Sequence, residues 1–138
     1  MYVDVEVEWA LIASDDDPLW SWRRVLYAWT HPESHEIVYI GKADYRSVRQ
    51  RFACPAKDGV WSHLSRCYGI DEVDVRVGEI FTEARLTPQL LDDVESLLIY
   101  HLRPCCNVSC TSNRIQRPGL RVTCTADWPI SRARFVDH

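Results

Sequence analysis

The sequence predicts an α+β fold, with a small antiparallel or mixed β-sheet of about three strands flanked by helices. Three observations support this prediction. Apolar residues alternate or form short β-branched and aromatic runs in some segments, and recur at helical spacing in others. The main segments follow the order strand, strand, helix, helix, strand, helix. At 138 residues the chain has the length of one domain with its own core.

The N-terminal half is expected to contribute strands first. Residues 2–8 alternate with the two-residue period of a half-buried strand, which we place in an N-terminal extension. Two strands of the main sheet are predicted at residues 24–30 and 37–40, with turn-forming residues between them. They should form a hairpin, and Gly41 should end the second strand.

Two short helices and a third strand are expected next. The helices are predicted at residues 47–52 and 60–68, and Gly69 has the conformational freedom to end the second. Residues 73–81 alternate again and predict a strand.

The longest helix is predicted from Pro88 to Leu102. Thr87 is a suitable N-cap, Pro88 suits the first helical position, and Pro104 prevents continuation. Beyond Asn107 the chain is rich in polar residues and is expected to form an irregular tail packed on the domain. One strand-like run interrupts it at residues 120–125.

The composition is that of a globular protein and argues against a disordered or a membrane-spanning protein. With 46% hydrophobic and 26% charged residues the chain is unlike a disordered protein. No apolar stretch approaches the roughly 18 residues needed to span a membrane, and no secretory signal is visible. We therefore expect a cytoplasmic protein with six free thiols. A zinc site is disfavoured, because the cysteines form no CxxC pairs.

The net charge of −4 is unfavourable for a nucleic-acid-binding protein, since Lys and Arg make most phosphate contacts. The acidic residues, however, concentrate at residues 4–17 and 71–93. Basic residues gather in mid-chain and in the tail: Arg46, Arg49, Arg51, Lys57 and Arg66, then Arg114, Arg117, Arg121, Arg132 and Arg134. Part of the surface can therefore be basic.

Glu95 is an anomaly in the long helix. It lies four residues after Leu91 and three before Leu98, on the stripe that these leucines share with Leu102. Burying an unpaired carboxylate costs several kcal/mol, so Glu95 should meet a cation, bind a metal or become protonated. The alternative is a Glu at the edge of the stripe with its carboxylate in water.

Several motifs occur in an order that resembles the GIY-YIG nuclease family. They are Val25-Leu26-Tyr27, then Tyr39-Ile40-Gly41-Lys42, an apolar-x-x-Arg segment at Val48–Arg51, His63, Glu95, and Pro104-Cys105-Cys106-Asn107. The resemblance covers residues 25–107, and Val25 replaces the first glycine of the family signature. It implies a GIY-YIG nuclease-like fold and a metal-dependent endonuclease that hydrolyses DNA phosphodiester bonds.

The resemblance also implies roles for individual residues. Glu95 would bind Mg²⁺, or Mn²⁺ in its place, because these ions prefer oxygen ligands. Arg51, with Arg49 as the alternative, would contact a phosphoryl oxygen. Tyr27 or Tyr39 would position or deprotonate the attacking water, helped by Lys42, because a free tyrosine has a pKa of about 10. His63 would relay a proton or contact phosphate, while Gly41 and Asn107 would position these groups.

The predicted organisation is an N-terminal extension at residues 1–20, a nuclease domain at residues 21–107 and a tail at residues 108–138. DNA is the expected partner, and a second copy of the chain or a partner subunit would supply sequence specificity. The alternative function is a catalytically inactive DNA- or protein-binding module of the same fold, which the net charge and Val25 favour. A cysteine-based redox or zinc-binding domain is a further alternative.

Overall fold

Six β-strands form one mixed sheet that curls into a half-barrel, in the order β3-β2-β4-β1-β5-β6. The computed structural model describes residues 2–107 and 119–137. The strands are β1 (Val3–Leu11), β2 (Val25–Thr30), β3 (Ile37–Ala43), β4 (Asp74–Thr82), β5 (Leu120–Ala126) and β6 (Arg134–Val136). The α-helices are α1 (Val48–Phe52), α2 (Asp58–Tyr68) and α3 (Pro88–Leu102), and short 3₁₀ turns lie at Pro18–Ser21 and Pro55–Lys57.

The predicted fold class, a sheet of about three strands flanked by helices, is wrong. The three predicted strands exist as β2, β3 and β4, but β1, β5 and β6 extend the same sheet to six strands. β1 pairs antiparallel with β4 on one side and parallel with β5 on the other. Residues expected in an extension and a tail therefore hydrogen-bond to the sheet through their backbone.

β2 is buried on both of its faces, and this divides the core into two clusters. Leu26 and Ala28 pack with α3 in one cluster. Tyr27 and Trp29 point the opposite way and pack with α1 and α2 in the other. The period-2 alternation of a strand places neighbouring residues on opposite faces, and here helices cover both.

β1 buries only one face. Val5, Val7 and Trp9 are at most 2% exposed and join the cluster of α3, while Glu6 and Glu8 between them face solvent. The predicted alternation at residues 2–8 is therefore confirmed, and the strand runs on to Leu11. Its acidic residues lie on the open face of this half of the sheet.

The helix predictions are confirmed, with small shifts at the boundaries. Thr87 caps α3 by accepting a hydrogen bond from the Leu90 amide. Gly69 ends α2 in the left-handed conformation at φ 65°. The α2 helix begins at Asp58, two residues earlier than predicted.

Two predictions about strands need correction. Gly41 does not end β3, which continues to Ala43, because Gly41 pairs with Tyr27 in a regular antiparallel ladder. The tail is not wholly irregular, because β5 and the unpredicted β6 form an antiparallel pair. Cys110, Arg114 and Arg117 lie outside the described residues.

β3 is an edge strand, and the turn after α3 covers part of its open side. The Cys106 amide donates a hydrogen bond to the Val38 carbonyl at 2.9 Å. The Asn107 side chain both accepts from the Ile40 amide at 2.9 Å and donates to the Ile40 carbonyl at 2.8 Å. An amide side chain here replaces a neighbouring strand and blocks further pairing.

None of the helices in the described part of the chain has the length and hydrophobicity required to cross a membrane. Cys54, Cys67, Cys105, Cys106 and Cys124 form no disulfide.

Candidate active site

An open pocket of about 490 Å³, here called the Glu95 pocket, lies where α3 and the turn after it meet the edge strand β3. It brings together five of the residues that the sequence singled out. These are Tyr39, Lys42, Arg51, Glu95 and Asn107. Asp44, Tyr45 and Arg46, from the loop after β3, complete the polar side of the wall.

Glu95 is held on the pocket wall by the packing of α3. Leu91 and Leu98, on the same stripe, are at most 1% exposed and anchor the helix in the core. Among the described residues the Glu95 carboxylate makes no hydrogen bond and no ion pair within 4 Å. Burial raises its pKa to about 7, against the opposing charge of Lys42. Near neutral pH the carboxylate is therefore only partly ionised without a further cation.

Three cations face Glu95 without forming an ion pair with it. Lys42, Arg51 and Lys57 each act to lower the pKa of the carboxyl group. Lys42 is itself paired, because its Nζ atom lies 2.6 Å from Asp92 Oδ1. Partial burial is the largest single effect and acts to lower the pKa of Lys42, but the hydrogen bond to Asp92 and the negative charges of Asp92, Glu95 and Asp44 together outweigh it, so the net shift is upward.

Arg51 lies in the pocket and Arg49 does not. The capping box of Ser47 and Gln50 starts the short helix α1, and Phe52 fixes it by packing on Trp29 with ring centroids 5.1 Å apart. Arg51 then lines the pocket, and its buried Nε atom lacks a hydrogen-bond partner. The Arg49 guanidinium instead stacks 4.9 Å from the Trp20 ring and donates to the Asp15 carbonyl.

Tyr27 and Tyr39 differ in their exposure to solvent and to the Glu95 pocket. Tyr27 is 1% exposed, and its buried hydroxyl has no partner with hydrogen-bonding geometry although Arg51 is close enough to influence its pKa. Tyr39 is partly exposed and lines the pocket. Burial raises the pKa of both hydroxyls, so neither is a ready base. Lys42, expected to favour tyrosinate, is paired with Asp92 instead.

Gly41 provides the space that Tyr27 needs. A Cβ atom at position 41 would lie 2.4 Å from Cζ and Oη of Tyr27. The side chain of Tyr27 therefore rests directly on the backbone of β3. This explains physically why a glycine follows Tyr39 and Ile40 in this strand.

Lys57 is a site residue that the sequence did not single out. It is 4% exposed, and its Nζ atom lies 5.1 Å from the centroid of the Tyr39 ring and 6.0 Å from that of Tyr27. Burial lowers its pKa, and the charge of Arg51 adds to this effect. A lysine in a short polar linker is typical of a surface residue. Only its place between two helices that pack on the same aromatic cluster brings it inside.

His63 lies in a neighbouring pocket of about 360 Å³, here called the His63 pocket. This pocket shares Tyr39 and Asn107 with the Glu95 pocket, but His63 is not on the wall of the latter. His63 meets Cys105 and Cys106, and the donor atoms of all three lie within 4.8 Å of one another. Asn107 hydrogen-bonds to the backbone of β3 rather than to either tyrosine.

The Glu95 pocket fits the Mg²⁺ ion that the resemblance implies. Its donor set consists of oxygen atoms, with Glu95 free of other partners in the described part of the chain and Asp44 on the wall. Mg²⁺ is commonly held by one or two carboxylates, and otherwise keeps its waters or binds phosphate. A cation beside Glu95 would also balance the ionised form that burial disfavours.

Comparison of the chain with protein-family models, curated proteins and solved structures gave no match. The resemblance to GIY-YIG nucleases therefore stays a prediction from the motifs of the sequence.

Proposed function

We propose that this chain is a metal-dependent endonuclease that hydrolyses phosphodiester bonds of DNA in the Glu95 pocket. The proposal is supported by a partly buried carboxylate on the wall of an open pocket, which is close to three cations and forms an ion pair with none of the residues that the structure describes. Buried carboxylates are usually paired with a cation, because an unpaired one is costly. Within the described part of the chain Glu95 is not paired in this way, so it would be available for a metal ion, and Arg51 on the same wall for an anion.

Glu95 would hold Mg²⁺, with Mn²⁺ as a substitute. When bound, the ion supplies positive charge where negative charge develops on the phosphoryl oxygens. Glu95 lies at a fixed point of the wall because Leu91 and Leu98 anchor α3. Its own contribution is therefore to place that charge at the junction of α3 and β3.

Arg51 would bind the scissile phosphate, and the nearly buried Lys57, which lines the neighbouring His63 pocket, would add positive charge beside the Tyr39 ring. A guanidinium presents several N–H groups in a plane and stays charged at all relevant pH values, which suits a phosphate oxygen. Arg51 lines the pocket and lies close enough to Tyr27 to influence its pKa, so its charge is placed beside both the pocket and the tyrosine. Arg46 on the same wall would contact a neighbouring phosphate.

Tyr39 would position the attacking water. It lines the pocket, whereas Tyr27 is closed off beneath it with the two ring centroids 6.1 Å apart. Because burial raises its pKa, Tyr39 would act as a neutral hydroxyl that orients the water by a hydrogen bond. Tyr27 and Gly41 would support Tyr39 from below without touching substrate.

The charged groups of this pocket suit phosphates, and phosphate contacts carry no sequence information. We therefore propose that a second copy of the chain or a partner subunit selects the DNA. The free thiols of the described cysteines suit a cytoplasmic setting.

The test compares wild type with Glu95→Gln on supercoiled plasmid, single-stranded DNA and single-stranded RNA. Each reaction is run with Mg²⁺, with Mn²⁺ and with no added divalent ion. The matched control is Glu8→Gln, which removes a carboxylate from the exposed face of β1. We expect nicking of plasmid by wild type and Glu8→Gln that needs the metal and is reduced by about 100-fold or more in Glu95→Gln.

Equal cleavage by wild type and Glu95→Gln would rule out this pocket as the site. DNA binding without cleavage by correctly folded wild type would instead indicate the alternative, a binding module that lacks turnover. Cleavage of RNA alone would overturn the assignment of DNA as substrate.

A further inference from the structure

A second group of metal-ligating side chains lies on the far side of Tyr39 from Glu95. His63 comes from α2, while Cys105 and Cys106 come from the turn after α3. Their donor atoms lie within 4.8 Å of one another. Sulfur and imidazole donors suit Zn²⁺ and disfavour Mg²⁺.

Two of the spacings are close to those of a tetrahedral zinc site. Zn–S bonds of about 2.3 Å and Zn–N bonds of about 2.0–2.1 Å imply S···S separations near 3.8 Å and S···N separations near 3.5 Å. Cys105 Sγ lies 3.6 Å from Cys106 Sγ. Cys67 Sγ lies 3.8 Å from His63 Nδ1, because the two residues are one helical turn apart on α2.

We propose that His63, Cys105 and Cys106 bind one Zn²⁺ ion. These three ligands leave one tetrahedral position open, and Cys67, next to His63 on α2, would fill it after a movement of its side chain, which gives the four protein ligands of a structural zinc site. The ion would tie α2 to the turn that carries Asn107. Because Asn107 caps β3 beside Tyr39, zinc would stabilise one wall of the Glu95 pocket without contacting the substrate.

This inference does not depend on the proposed nuclease function. It gives His63 the role of a metal ligand rather than of a proton relay. No CxxC pair is needed here, because the fold brings His63 next to Cys105 and Cys106, which lie 42 and 43 positions later in the chain.

The test measures metal content and binding on the full chain under a reductant that does not bind zinc. Wild type is expected to carry one Zn²⁺ per chain, and after zinc removal to bind Co²⁺ with the thiolate-to-metal absorption of a tetrahedral site. His63→Gln and Cys105→Ser should each weaken binding by more than about 100-fold, since even residues that only support ligands contribute 10–100-fold. Cys67→Ser should weaken it as well.

Cys54→Ser is the matched control, since Cys54 lies outside the cluster, and it should bind like wild type. Glu95→Gln should also keep its zinc, so failure of the nuclease proposal leaves this result unaffected. Reduced, folded wild type that neither carries Zn²⁺ nor gives the Co²⁺–thiolate absorption would overturn the proposal. Unchanged affinity in Cys67→Ser would overturn the four-ligand site.

Discussion

Glu95 carries a pKa that links the stability of the protein to pH. Its pKa rises from 4.5 to about 7 on folding because the carboxyl group is buried. Between these two values the folded state binds more protons than the unfolded state. The contribution of Glu95 to the free energy of unfolding is therefore fully present below pH 4.5, falls as the pH rises to 7, and is constant at higher pH.

We predict that Glu95→Gln removes this pH dependence, because the amide mimics the neutral acid. In urea unfolding, the free energy of unfolding of the variant should rise by about 3 kcal/mol relative to that of wild type between pH 4.5 and pH 7.5, because of the upward shift of the Glu95 pKa. Mg²⁺ should stabilise wild type at pH 7.5 and leave Glu95→Gln unchanged. A difference between the two proteins that is constant with pH would show that Glu95 is not buried as described.

Gly41 offers a second prediction at the level of single residues. An added methyl group would meet the ring of Tyr27 at 2.4 Å, and Tyr27 at 1% exposure has no space to move. Gly41→Ala should therefore destabilise the protein by about 1–3 kcal/mol, as overpacking does, and should lower any nuclease activity by displacing Tyr39.

Gly59→Ala is the matched control, because a Cβ atom there meets nothing within 4 Å and the residue lies in α2. It should stabilise the protein by up to about 1 kcal/mol. Thermal unfolding of the two variants separates these effects. Equal stability of Gly41→Ala and wild type would contradict the close packing of Tyr27 on β3.

Among the structural elements, the turn after α3 makes the hydrogen bonds with the open edge of β3 that a neighbouring strand would otherwise make. Asn107 makes two hydrogen bonds with the backbone of Ile40, at 2.9 and 2.8 Å, on the open side of β3. Asn107→Ala should destabilise the protein by about 1–3 kcal/mol and reduce hydrogen-exchange protection of the Ile40 amide.

Asn107→Asp separates the two bonds. The carboxylate still accepts from the Ile40 amide, but its second oxygen faces the Ile40 carbonyl without a proton to donate. This variant should therefore be less stable than wild type at pH 7.5 and recover towards it at low pH, where a protonated Asp can donate. Chemical unfolding at the two pH values tests this, and a variant as stable as wild type at pH 7.5 would argue against the paired geometry.

Elements with strong local signals were predictable from the sequence. Thr87 and Pro88 fix the start of α3, and the alternation at residues 2–8 fixes β1, because capping and period-2 burial are local properties. β6 has only three residues, and no periodicity can develop over so short a segment. The continuation of β3 through Gly41 depends on Tyr27 in the neighbouring strand, which a local pattern does not reveal.

Among the residues of the site, Glu95 was predictable from the sequence, because a carboxylate on an apolar stripe of a helix is unfavourable unless it has a partner. Neither the burial of Lys57 nor the proximity of His63 and Cys105 was predictable from the sequence. Lys57 becomes buried only when α1 and α2 pack on Trp29, with Trp61 at 4.8 Å. The cysteines become ligand candidates only when the turn after α3 reaches α2.

On the scale of the whole molecule, the central strand β1 joins the two ends of the chain into one sheet. β1 lies between β4 and β5, so its backbone forms ladders on both sides. The pairing of Val3 with Leu120 spans most of the chain and is parallel, which no hairpin signal can indicate. The number of strands was underestimated for this reason.

The same arrangement predicts the behaviour of the fragment 21–107, which contains every residue of the Glu95 pocket. Without β1 the edge of β4 is unpaired, and Val5, Val7 and Trp9 are missing from the cluster that buries α3. Burial of each such side chain contributes about 1.5–3 kcal/mol, a large share of the 5–15 kcal/mol that stabilises a domain. We expect the fragment to lack a cooperative unfolding transition and near-ultraviolet circular dichroism, whereas the full chain should show both. A fragment 21–107 that unfolds cooperatively would mean that the residues of the pocket form an independent unit, on which β1, β5 and β6 are only an addition.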